Sequence, residues 1–298
     1  MNKKNLLIVM GITSDMAFAA ANVLMSLNEF PPDKDFDVLI FEDGLSSKDK
    51  ELLNNIRKSS FEVLNIPEGI NISPKLMQRY SKMVFSKYEC FDLLEKYRNV
   101  LWLDVDVVIK GNISSLLKYS EGGAGFVLEP YPLQINFSEK IDGYDMEQRF
   151  YNAGVFILSD SFPNWQEAKR NLYDLTQKYS DILLLAEQGI INLFLFDSKI
   201  SLTNIPVEYN CFPWFSNIEQ AKIIHVVDYT KPWISFKYRQ WNDNYKIWLK
   251  MGGTPLPFCK SLRYACKNIP HALKYPRGFG KKIFSIIKFV FKHYLKRF

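Results

Sequence analysis

No stretch of this 298-residue sequence reaches the roughly 18 uninterrupted apolar residues that a membrane-spanning helix needs. Cysteine is scarce. The four present, Cys90, Cys211, Cys259 and Cys266, have neither zinc-site nor Cys-x-x-Cys spacing. So few and so scattered, they are expected as free thiols in a reducing compartment. No internal repeat and no low-complexity linker interrupts the chain, which excludes a solenoid and a string of small modules. Acidic residues are missing altogether after Asp243, whereas thirteen Lys and Arg lie between Lys246 and Arg297. The rest of the chain then holds 25 basic against 32 acidic residues, a mildly acidic body with a strongly basic tail.

What is present is a foldable chain. With 47% hydrophobic and 15% aromatic residues it lies far from the disordered range, and its length suffices to bury one large core or two modest ones. Lys3 and Lys4 ahead of Leu6–Ile12, then Ala17-Phe18-Ala19, imitate a secretory leader. The apolar run is only about seven residues long, however, and Thr13-Ser14-Asp15 breaks it, so a buried first strand running into a turn explains it better. The expected location is therefore cytoplasmic, and the sequons at Asn71, Asn112 and Asn136 are expected to stay unmodified.

Strands are expected at 6–10, 36–42, 61–66, 100–109, 125–128, 153–158 and 222–227, by their apolar and β-branched content. Helices are expected at 17–27, 47–58, mostly through 74–97, and at 165–178 and 184–194. Strand alternating with helix from the start points to an α/β fold with a doubly covered, mainly parallel sheet. One such domain over residues 1–245, followed by a basic region 246–298, is the simplest partition.

The run Val100-Leu101-Trp102-Leu103-Asp104-Val105-Asp106-Val107-Val108-Ile109 would be an ordinary central strand but for two carboxylates. Isolated charges there cost several kcal/mol unless paired or metal-bound. In a strand, residues i and i+2 project to the same side, so Asp104 and Asp106 are expected to present converging oxygens to a divalent cation. The carboxyl end of a parallel sheet is also where ligands bind. Taken alone, the pair fits a glycosyltransferase, a nucleotidyltransferase or a phosphatase. The second of these lacks support, because no glycine-rich phosphate loop follows the first strand.

Several further segments occur in one order between about residues 80 and 233. They are Ser86-Lys87-Tyr88-Glu89-Cys90-Phe91-Asp92-Leu93, Asn152-Ala153-Gly154-Val155-Phe156, Ala186-Glu187-Gln188-Gly189-Ile190-Ile191-Asn192, and Ile224-His225 leading to Lys231-Pro232-Trp233. Together with Asp104-Val105-Asp106 they resemble the motifs of glycosyltransferase family 8, a retaining group with the GT-A fold that includes glycogenin and bacterial lipopolysaccharide galactosyl- and glucosyltransferases. The resemblance implies that Lys87, with Lys82 as its rival, lies near the donor phosphates. It implies that Asn152, Ala153 and Gly154 face the donor sugar, an amide offering both donors and acceptors to hydroxyls. Gln188 and Glu187 would flank the anomeric carbon, Glu187 standing where the family has Asp. His225 would complete the metal site, and Lys231 would hold the pyrophosphate as a point charge. An imidazole beside two carboxylates favours Mn2+ over Mg2+. Asp228 replaces the usual Gly of the last motif, and the loop 206–210 ending in Asn210 matches a family loop. Thr13 and Asp15 are the candidates for contact with the nucleoside of a UDP-sugar.

From Lys281 to Phe298 a helical projection separates Ile283, Phe284, Ile286, Ile287, Val290, Phe291, Tyr294, Leu295 and Phe298 from a face of Lys, His and Arg. Such a basic amphipathic stretch is expected on an anionic membrane surface, here the inner face of the cell membrane, rather than on nucleic acid. The whole reading is then a UDP-hexose-dependent hexosyltransferase acting on a glycan or lipid-linked acceptor. Its competitor from another class is a catalytically silent membrane-surface or nucleic-acid-binding protein.

Overall fold

A computed structural model describes residues 3–200, 202–227, 231–235 and 237–257. The amphipathic stretch 281–298, Cys259, Cys266 and Asp228 fall outside them. The central strand β1 (Lys4–Gly11) buries every residue from Leu6 to Met10, as a strand covered on both faces must. Its pleat splits them: Leu6, Ile8 and Met10 join one hydrophobic cluster and Leu7 and Val9 the other.

The first cluster is roofed by helix α1 (Ala17–Glu29), whose Ala19, Ala20 and Ala21 let it lie close on the sheet. Strand β2 (Asp37–Glu42), helix α2 (Ser47–Ile56) and strand β3 (Ser60–Val63) follow. Ser46 starts α2 by accepting the Asp49 N–H. The segment expected to be mostly helical from 74 to 97 is instead broken. It comprises helix α3 (Pro74–Arg79), a 3-10 stretch Lys82–Tyr88, the short helix α4 (Glu89–Asp92) and another 3-10 turn before strand β4 (Tyr97–Leu103). Tyr80 is extended and the Ser81 hydroxyl caps the 3-10 stretch, so no continuous helix can form there.

The expected strand 100–109 is likewise two. β4 stops at Leu103, and after a turn at Asp104-Val105-Asp106 the chain leaves the main sheet as β5 (Val107–Ile109). Strand β6 (Ala124–Pro132), the long β7 (Arg149–Ser159), helix α5 (Trp165–Tyr179), helix α6 (Gln188–Asp197), strands β8 (Thr203–Asn204) and β9 (Ile223–His225), and helices α7 (Pro232–Ser235) and α8 (Arg239–Lys250) complete the described chain.

The main sheet runs β3-β2-β1-β4-β7-β6-β8. Pairs β3–β2, β2–β1, β1–β4 and β6–β8 are parallel, whereas β7 is antiparallel to both β4 and β6. The sheet is thus mixed and mainly parallel. Across β4, β7 and β6 the rings of Trp102, Phe156 and Phe126 lie nearly parallel, with centroids 6.2 and 5.0 Å apart, and this ladder pins the register where β7 reverses direction. β5 pairs with β9 in a separate two-stranded ribbon.

Residue 245 lies inside α8, which packs on α1 through Trp241, Tyr245 and Phe18. The contacts continue beyond it, since Thr254 donates to Asp49 and Leu256 is buried. Among the described helices none is long and apolar enough to cross a membrane. Cys90 and Cys211 are buried free thiols.

Candidate active site

The two aspartates do not alternate along a strand; they occupy the junction between two sheets. The Asp104 N–H donates to the Gly154 carbonyl, continuing the β4–β7 ladder, and the Val226 N–H donates to the Asp106 carbonyl, continuing the β5–β9 ribbon. The chain changes sheets between the two residues, so both carboxylates are delivered into the crevice where the sheets part. His225 enters from β9, opposite Val107. Its Nε2 lies 3.2 Å from Asp106 Oδ1 and 3.6 Å from Asp104 Oδ2.

Two lysines bind the same carboxylates. Lys87 Nζ is 3.1 Å from Asp104 and 2.5 Å from Glu187, and Lys231 is bonded to Asp106. The Trp102 indole N–H donates to Asp104 Oδ1 at 2.8 Å. Burial pushes the Asp106 pKa up, but the adjacent Lys231 and His225 more than reverse it and hold the carboxyl well below its usual range. Burial raises the Glu187 pKa, and the Lys87 charge offsets this only in part. For Lys87, burial favours the neutral amine, but Asp104 and Glu187 outweigh it and keep the side chain charged.

Ligand atoms of Asp104, Asp106 and His225 all lie within 4.8 Å of one another. Donors at right angles around an ion at about 2.1 Å sit about 3.0 Å apart, so the 3.2 and 3.6 Å separations let the imidazole share one ion with each carboxylate. Two oxygens and one nitrogen form a mixed set suited to a divalent metal. The residues therefore fit such an ion.

These groups line a cavity of about 560 Å³ at the carboxyl end of β1 and β4. It collects Thr13, Lys87, Asp104, Val105, Asp106 and Lys231 with Asn152, Gly154, Glu187, Gln188 and His225. Of the residues singled out from sequence, Asp15 and Ala153 do not line it. Asp15 accepts the Thr13 hydroxyl hydrogen bond, and the buried Ala153 donates its N–H to Gln188 Oε1 at 3.1 Å. Ala153 thus orients the glutamine from behind. Lys82 is also elsewhere, donating to the Leu64 carbonyl.

Glu187 and Gln188 owe their placement to the residue before them. Ala186 is left-handed at φ 49°, a conformation costing an L-residue about 1–2 kcal/mol, and α6 begins only at Gln188 rather than at 184. Gly154, expected from the resemblance to face the donor sugar, has a second reason in the packing. A Cβ on Gly154 would stand 2.0 Å from His225 Cε1, so the glycine makes room for the imidazole.

The sequence reading missed Glu129, which follows the apolar run 124–128 inside strand β6. It is 3% exposed, lines the cavity, and one carboxylate oxygen has no hydrogen-bond partner. Its signal was the one that exposed Asp104, a charge closing an apolar run. Burial lifts its pKa to about 7, the Asn152 amide and Arg149 countering only partly. A carboxyl raised in the folded state stabilises fully below its unfolded pKa, near 4.5, and this is lost as pH rises through about 7. Glu129→Gln is therefore expected to match the parent at pH 4.5 and to exceed it by about 2–3 kcal/mol at pH 8. Denaturant midpoints at the two pH values check this, and a gap that stays constant contradicts it. Three exposed apolar side chains, Tyr131, Ile135 and Trp214, rim the same cavity.

Comparison with known proteins bears on the same region. The model of the family described as glycosyl transferase family 8 matches residues 7–237. Lipopolysaccharide 1,2-glucosyltransferase of Escherichia coli K12 is 27% identical over an alignment of 197 residues that covers 58% of this chain and 55% of that protein. Glycosyltransferase GlyA of Streptococcus pneumoniae is 25% identical over an alignment of 204 residues that covers 65% of this chain and 28% of the relative. The chain thus spans about half the length of the first relative and under a third of the second. Among solved structures, galactosyltransferase LgtC in complex with donor and acceptor sugar analogues superposes with a TM-score of 0.62 at 14% identity, covering 82% of this chain and 99% of that one. GlyE of Streptococcus pneumoniae gives 0.55 at 16% identity, over 84% and 64% of the two chains.

Proposed function

From the premise that this chain belongs to glycosyl transferase family 8, we propose that it is a retaining hexosyltransferase. It would move galactose or glucose from a UDP-sugar to a cell-surface glycan or glycolipid. One observation carries this reading: Asp104, Asp106 and His225 converge beside two lysines in a cavity of nucleotide-sugar size. The E. coli relative's name, a lipopolysaccharide glucosyltransferase, supports the sugar and acceptor classes.

Breaking the bond from the anomeric carbon to the diphosphate leaves about two negative charges on the departing UDP. Asp104, Asp106 and His225 would hold Mn2+, with Mg2+ as the alternative, and the bound ion supplies electrostatic stabilisation of that leaving group. Lys231, now paired with Asp106, lies at the mouth of the same crevice and would contact the diphosphate. Asn152 would bond donor-sugar hydroxyls, and Thr13 would approach the nucleoside. Gln188 is anchored at both ends, its Oε1 by Ala153 and its Nε2 by Asn136, so its amide is preorganised beside the reacting carbon. Retention is what the family resemblance implies, and with Glu187 engaged by Lys87 rather than free to attack, same-face attack by the acceptor hydroxyl is the favoured route to it. The basic stretch 281–298 would keep the protein on the inner face of the membrane, near lipid-linked acceptors.

A screen of UDP-, GDP- and CMP-sugars for manganese-dependent hydrolysis tests the proposal. Release of UDP from UDP-galactose or UDP-glucose, abolished by EDTA, is the expected result. No turnover of any UDP-sugar would overturn it.

A further inference from the structure

We infer that Asn210, oriented by Asn152, fixes the tautomer of His225 and is thereby a positioning residue for the metal site. The three side chains form one buried relay: Asn152 is 5%, Asn210 1% and His225 3% exposed. Its direction is set from one end by the backbone. The Gly154 N–H can only donate, and it meets the Asn152 side chain at 2.8 Å, so the Asn152 atom there is the carbonyl oxygen. The same oxygen is 2.7 Å from the Asn210 amide, which must present its NH2. The other Asn210 atom is then an oxygen, able only to accept, and it lies 2.7 Å from His225 Nδ1. Nδ1 consequently carries the hydrogen, and the neutral ring's lone pair sits on Nε2.

That lone pair faces Asp106 Oδ1 at 3.2 Å and Asp104 Oδ2 at 3.6 Å. In the neutral ring three acceptors converge there, Lys87 and Lys231 balancing the carboxylates from the side and leaving the Nε2 lone pair with no donor of its own. With the opposite tautomer, Nε2–H would simply donate to Asp106, and the site would be satisfied without any ion. The relay therefore removes the neutral Nε2–H state and leaves Nε2 either bare for a cation or holding a second proton that a bound cation displaces. It also ties that state of the ring to Asn152, the side chain expected against the donor sugar. The inference rests on the proposed metal role of His225, but the tautomer itself does not.

His225 is one of only three histidines, so histidine-selective 15N labelling gives a sparse NMR spectrum, assigned by a His225→Gln variant. At pH 8.5, without metal, the wild-type His225 is expected to show protonated Nδ1 and unprotonated Nε2. Protonated Nε2 with bare Nδ1 would overturn the inference whatever the enzyme's activity, and no variant is needed to see it. Asn210→Leu, similar in volume but without the acceptor, is expected to release the tautomer and lower Mn2+ affinity 10- to 100-fold by calorimetry. Asn210→Asp retains the acceptor for Nδ1–H but loses the NH2 that Asn152 Oδ1 accepts, so it is expected to keep the tautomer although the bond to Asn152 is lost. An Asn210→Leu protein that keeps the Nδ1–H form and full Mn2+ affinity would also overturn it. Failure to hydrolyse any UDP-sugar, with the Nδ1–H form intact, would count against the proposed function and not against the relay.

Discussion

Gly154→Ala is expected to cut Mn2+ affinity and UDP-sugar turnover by at least about 100-fold while the protein remains folded. A methyl at this position would stand 2.0 Å from His225 Cε1 and 2.6 Å from Nδ1, and real side chains do not approach so closely. Although its pairing with β6 is interrupted between Asn152 and Phe156, the strand is anchored at this point by β4, the Gly154 carbonyl accepting the Asp104 N–H. The imidazole must therefore move, breaking its bond to Asn210 and its alignment with Asp104 and Asp106. Overpacking of this kind costs about 1–3 kcal/mol, which a domain with this core tolerates. Calorimetric Mn2+ titration alongside thermal unfolding separates the two effects. Unchanged affinity in a folded variant would mean that the imidazole can be accommodated elsewhere.

Lys87→Met is expected to destabilise the protein by about 3–5 kcal/mol, because it strips the counter-ion from two carboxylates and leaves Glu187 buried and unpaired. For a unit of this size the melting temperature should fall by about 10 °C. The double variant Lys87→Met/Glu187→Gln should recover most of the loss, since removing both partners of a buried pair is far less costly than removing one. Melting in EDTA, with wild type and both variants side by side, reads this directly. A single variant melting within about 2 °C of wild type would show that the pair is solvated and makes little contribution.

Both predictions concern residues already visible in the sequence, yet the reason each matters was not. Lys87 was nominated as a phosphate contact, and the structure buries it as the bridge between Asp104 and Glu187. Gly154 is expected from the resemblance to face the donor sugar, and the packing gives its missing side chain a second reason, room for His225. Glu129 went unnoticed, although it follows an apolar run as Asp104 does. A lone acid after such a run is ambiguous until the fold shows which loops cover it.

Whereas His225 came from the family resemblance, the sequence by itself determined the strand–helix alternation, the buried β1 and the paired carboxylates Asp104 and Asp106. These are legible because hydrophobic periodicity and the cost of buried charge act locally, within a few residues. It did not determine that the strand through residues 100–109 is severed. Nothing local distinguishes Asp104-Val105-Asp106 in a strand from the same residues in a turn. The break is decided by pairing partners more than 45 residues away, Gly154 on β7 and Val226 beyond β9, which draw the two halves into different sheets. The tautomer of His225 is of the same kind, set by amides 15 and 73 positions distant that only the folded chain brings into contact.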